Sequence, residues 1–61
     1  MTIAKTLKAM NSHQLFSFGE IVNKAYEMGK IINDTPIKTT YEFTDKSVVV
    51  LHMAFRKVDV L

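Results

Sequence analysis

Sixty-one residues and 7.0 kDa leave room for one small domain, 1–61. A chain this short buries only about 60% of the surface that its unfolded form exposes, so its core alone leaves it marginal. It has no cysteine, which excludes disulfides and thiolate metal sites, and eight Lys+Arg against six Asp+Glu leave a net charge of only +2.

Hydrophobic residues at 48% and charged residues at 23% match a folded chain rather than a disordered one. Despite a pI near 9.1, the cations are scattered, and only Arg56 and Lys57 are adjacent. A dedicated nucleic-acid binder concentrates its charge in a stripe. The longest apolar run, Val48–Leu51, is broken by His52 and resumes at Met53. It falls far short of the ~20 residues of a spanning helix. With no apolar stretch of signal-peptide length near Lys5 and Lys8, the expectation is a soluble, cytoplasmic protein with no membrane partner.

Ile3, Leu7 and Met10 recur at i, i+4 and i+7, which predicts a short first helix ending near Asn11-Ser12. A second helix carries the stripe Phe18, Ile21, Val22, Ala25, Met28 and Ile32. Ser17 and Glu20 have the spacing of a capping box at its start. Its opposite face bears Glu20, Asn23, Lys24, Glu27 and Lys30, with Glu20 and Lys24 placed for an i,i+4 ion pair. Gly29 lowers helix propensity, and Asn33 with Pro36 supplies the stop.

Past Pro36 the period changes from helical to alternating. Ile37, Thr39, Tyr41 and Phe43 alternate with Lys38, Thr40, Glu42 and Thr44, which predicts a half-buried strand. Thr44-Asp45-Lys46-Ser47 has turn chemistry. Val48 to Lys57 is β-branched and aromatic and predicts a second strand. The expected fold is α+β: two N-terminal helices followed by a C-terminal antiparallel β-hairpin packed on them.

Register follows from the faces. A two-residue loop at Asp45-Lys46 puts the bulky sets of the two strands on opposite faces. A three-residue loop pairs Phe43 with Val49, Tyr41 with Leu51, Thr39 with Met53 and Ile37 with Phe55, and unites them. It requires a type I turn and then a left-handed residue, expected at Ser47.

That hairpin leaves Val48, Val50 and Ala54 on its back, together with His52 and Arg56. Two-stranded sheets also have two open edges. The tail Val58-Asp59-Val60-Leu61 keeps alternating to the last residue. Val48, Val50, Ala54, Val58 and Val60 are therefore the expected interface for self-association, as a homodimer, or for a protein partner of unspecified identity.

The residues carry little catalytic chemistry. His13 and His52 lie in different elements without an i+3 or i+4 ligand, and no acidic cluster completes a metal site. Both glycines are isolated, so no loop cradles a phosphate. A chain of this size has little surface left to wall a pocket of ~300 Å3. No enzyme activity, catalytic residue, metal or cofactor is expected.

Two functions remain, of different classes. Ala25 and Gly29 have the spacing of a helix-turn-helix turn, but Pro36 would fall inside the recognition helix, which excludes that motif. Lys38, His52, Arg56 and Lys57 could instead gather at the open end of the hairpin and touch phosphates, the alternative of a small nucleic-acid-binding regulator. The leading expectation is a non-enzymatic regulatory protein that binds another protein. In size and composition the chain resembles small accessory proteins of phages and mobile elements, a resemblance that implies inhibition of a host factor.

Overall fold

A computed structural model describes all residues, Met1–Leu61. Two helices, α1 (Ile3–Ser12) and α2 (Phe18–Met28), are followed by strands β1 (Gly29–Asp34), β2 (Lys38–Phe43), β3 (Val48–His52) and β4 (Lys57–Val60). The strands form one antiparallel sheet in the order β1-β2-β3-β4. The helices cover one face of it, so the molecule is α+β with a four-stranded meander in place of the expected hairpin.

Both helices begin as their caps dictate. Thr2 Oγ1 accepts the Lys5 N–H at 3.2 Å, and Ser17 Oγ accepts the Glu20 N–H at 3.3 Å. The Glu20 carboxylate accepts the Ser17 hydroxyl, 3.2 Å away, rather than the Ser17 N–H of a full capping box. Lys24 does not pair with Glu20. Its ammonium lies 5.1 Å from the centre of the Phe16 ring.

The expected second helix is too long by one turn. It ends at Met28, and the Gly29 N–H closes the last turn on the Ala25 carbonyl while Gly29 itself is already extended, at φ −124° and ψ 179°. Helix runs into strand with no loop between. The β-branched pair Ile31-Ile32 then continues as β1, bulged between Ile31 and Asn33. A Cβ on Gly29 would lie 2.7 Å from Phe43 Cε1, so the joint needs a residue without a side chain.

The expected second strand is likewise two elements. Val48–His52 is β3, residues 53–56 turn, and Arg56 adopts a positive φ of 52°. Phe55 sits in this turn, 82% exposed, instead of opposite Ile37. The apolar tail returns as β4, with Val58 opposite Leu51 and Val60 opposite Val49. The free hairpin edges expected from the sequence are therefore taken, β2 by β1 and β3 by β4.

The turn between β2 and β3 has the expected three-residue form, one position earlier. Its left-handed residue is Lys46, at φ 68°, not Ser47. Tyr41 thus pairs with Val49 and Thr39 with Leu51, two residues from the expected register. A two-residue displacement preserves the faces. Tyr41, Phe43, Val49 and Leu51 do share the inner side and form the core with Val58, Ala4, Leu7, Ile21 and Ala25. The displacement has a local cause. Asp45 accepts the Ser47 N–H at 3.0 Å, and Ser47 Oγ accepts the Ala4 N–H at 3.2 Å, so Ser47 is held at the start of the strand beneath α1.

Candidate interaction surface

Three surfaces remain once the core is formed: the uncovered face of the sheet, the groove between the helices, and the flank where α2 passes into β1.

The uncovered face carries two of the residues expected at an interface. Val48 pairs with Glu42 and Val50 with Thr40. Val50 is 7% exposed and lies outside the core cluster. Ala54 is exposed in the turn before β4. Val58 faces the other way and is a core residue, and Val60 packs against that core. The five residues Val48, Val50, Ala54, Val58 and Val60 thus do not share one surface. Pairing Val58 with Leu51 puts it on the helix side, a placement hidden from a two-stranded reading of the sequence.

The cations of the same face are better gathered. Lys38 pairs with His52 and His52 with Lys57, which sets the three in one rank across β2, β3 and β4. Arg56 adjoins them in the turn. Asp59 lies among them: His52 Nε2 is 2.9 Å from its carboxylate, Lys8 Nζ 3.7 Å and Lys57 Nζ 3.9 Å. All four groups are partly exposed, so this network adds little to stability.

Between the helices, Ile3, Thr6, Leu7, Met10, Lys24 and Met28 line a groove of about 330 Å3. Lys24 is its only charged member, and its ammonium already lies over Phe16.

The flank exposes the two isoleucines of β1 beside Tyr26 of α2. Tyr26, Gly29, Ile31 and Tyr41 line a cleft of about 310 Å3. Tyr26 is 64% exposed, Ile31 46% and Ile32 50%, and every residue of β1 after Gly29 is exposed. Tyr41 forms the floor. Its burial pushes the phenol above the ordinary value of 10.0, and the Asp34 carboxylate adds to the shift. The floor of the cleft is thus a neutral phenol at physiological pH.

No protein-family model, curated protein or solved structure matches the chain.

No three His, Asp or Glu side chains converge in a way that could hold a metal ion. No helix is long and apolar enough to cross a membrane. The flank was missed in the sequence because Tyr26 lies off the apolar stripe of α2 and Ile32 lies on it. Only the change from helix to strand at Gly29 brings Tyr26 and Ile31 to one cleft. Two adjacent β-branched residues, Ile31 and Ile32, so soon after Gly29 were the available signal.

Proposed function

We propose that the chain is a small non-enzymatic regulatory protein that acts by binding another protein, and that it self-associates through its sheet. One observation carries this reading: Tyr26 of α2 and Ile31 and Ile32 of β1 stand exposed beside a sheet edge with no neighbouring strand. Clustered apolar exposure beside an open strand edge is the composition of an association surface. Strand addition, with main-chain hydrogen bonds for affinity and the cleft for side-chain selection, is the corresponding mode of binding. A concrete form of such a role is an accessory protein of a phage or mobile element that inhibits a host factor.

The test is capture of partners by the tagged protein from native lysate, with and without nuclease. A defined protein retained at stoichiometric yield after nuclease supports the reading. Recovery that collapses with nuclease overturns it in favour of the second one.

That second reading is nucleic-acid binding by Lys38, His52, Arg56 and Lys57, favoured by the rank that Lys38, His52 and Lys57 form. One feature counts against it: Asp59 offsets part of the positive charge.

A further inference from the structure

We infer that the occupant of the β1 edge is a second copy of this chain, paired antiparallel about a two-fold axis at Ile31. The inference rests on the protein-association reading above and names its partner.

Backbone direction selects the residue. The Phe43 N–H donates to the Ser47 carbonyl at 2.9 Å, so Phe43 bonds toward β3. At the other end of β2, the Lys38 carbonyl accepts the Thr35 N–H at 2.8 Å, on the β1 side. Alternation between these two points turns Tyr41 toward β3. Ile31 lies opposite Tyr41 and therefore directs its own N–H and C=O away from β2, to the open edge. Gly29 has spent its N–H on the Ala25 carbonyl, and Asp34, opposite Thr39, is turned outward like Ile31 but would set two carboxylates against each other across a two-fold axis, which leaves Ile31 as the centre.

A residue with both groups free is the natural centre of a symmetric pair. Across a two-fold axis, each Ile31 N–H meets the carbonyl of the other copy, and both are satisfied at once. The flanking pair is then Lys30 with Ile32, and no like charges stand directly opposite each other. The bulge after Ile31 ends the ladder and confines pairing to this segment.

The opposite edge of the sheet does not compete. α1 packs along β4, where the Asn11 side-chain amide donates to the Arg56 carbonyl at 3.4 Å and Lys8 reaches Asp59. The axis at Ile31 also brings the two Tyr26 clefts together on the helix side. Tyr26, Ile31 and Ile32, each about half exposed or more, bring apolar surface to the axis, and a pairing this short belongs among the small, transient interfaces below ~1,200 Å2. The product is a reversible dimer with one continuous eight-stranded sheet.

Sedimentation across a concentration series tests the pairing, alongside amide hydrogen exchange at Ile31. The expected species at high concentration has twice the 7.0 kDa of the chain. Protection of the Ile31 amide should rise with concentration, because that group has no acceptor within its own chain. Ile31→Pro deletes the donor at an edge position that tolerates proline, and Ile31→Lys sets two like charges at the axis. Each should weaken dimerisation about tenfold or more with the circular dichroism unchanged. If either variant fails to fold, the exchange of the wild-type amide decides.

A wild-type protein that stays monomeric overturns the inference, as does an Ile31 amide that exchanges at one rate throughout. A dimer that survives in a folded Ile31 variant does the same. A monomer that captures a different protein through Ile31 overturns the second copy and leaves the protein-binding reading standing. A monomer that captures none removes both.

Discussion

The Asp45 carboxylate accepts the backbone N–H of Ile3 at 2.8 Å, across 42 residues of chain. The turn between β2 and β3 thus caps the first helix from outside it, and the negative charge lies at the positive end of the helix dipole. The Ser47 hydroxyl, the Ile3 N–H and the Ser47 N–H, in that order, hold the Asp45 carboxyl below its ordinary 3.8. A depressed carboxyl stabilises the fold at pH values above its unfolded value, and that contribution fades as pH falls through the folded one. Asp45→Asn should therefore lower the thermal midpoint at neutral pH. Melting curves followed into acid should converge with wild type below the usual carboxylate range. Identical midpoints at pH 7 would mean that the charge does not contribute.

Gly29→Ala should destabilise the fold by about 1–3 kcal/mol, read from urea unfolding. The new Cβ would lie 2.7 and 2.9 Å from two carbons of the buried Phe43 ring and 3.0 Å from the Ala25 carbonyl oxygen. Gly19→Ala meets nothing within 4 Å and should stabilise α2 by up to about 1 kcal/mol. Equal effects from the two substitutions would refute the steric role given to Gly29.

Lys46→Gly should stabilise the protein by about 0.5–1 kcal/mol, since Lys46 holds a positive φ where a turn of this form favours glycine. Arg56→Gly should do the same in the turn before β4, and it also removes a cation from the outer face. A loss of stability in the Lys46 variant would mean that its side chain contributes more than its backbone costs.

Nucleic-acid binding by the outer face makes its own demands. Lys57→Ala should lower affinity and reduce the salt slope by about one ion, while Asp59→Asn should raise affinity by releasing Lys57, Lys8 and His52 from their shared carboxylate. Titration of labelled duplex and single strands at several salt concentrations measures both. If neither substitution changes binding, the rank of cations is an ordinary solvated surface.

Much of the fold was legible as periodicity. The stripe Ile3, Leu7 and Met10 places α1, and Ser17 with Glu20 marks the start of α2. The alternation of Tyr41 and Phe43 with Val49 and Leu51 assigns the inner face even though the register is displaced. β1 was hidden because Ile32 continues the helical spacing from Ala25 and Met28. β4 was hidden because residues 53–56 form a turn without Gly, Pro, Asn or Asp, closed by an arginine in a conformation that disfavours it. These two losses carried the candidate surface with them. With only two strands, Val58 reads as part of a free tail, and Ile31 and Tyr26 have no reason to meet. The rank Lys38, His52 and Lys57 was closer to hand, because its members were already grouped at one end of the hairpin.

The clasp between α1 and the β2–β3 turn also orders events in time. Every strand pairs with its neighbour in the chain, so the sheet can zip through short loops. α1 reaches Asp45 and Ser47 across 42 and 43 residues and Arg56 across 45. Closing loops of that length costs more entropy than the short strand connections and is best repaid after the meander exists. Substitutions at the clasp should then accelerate unfolding and leave the folding rate nearly unchanged, with φ-values near zero in a chevron series. The same late step makes the docked first helix the part of the fold that lets go first.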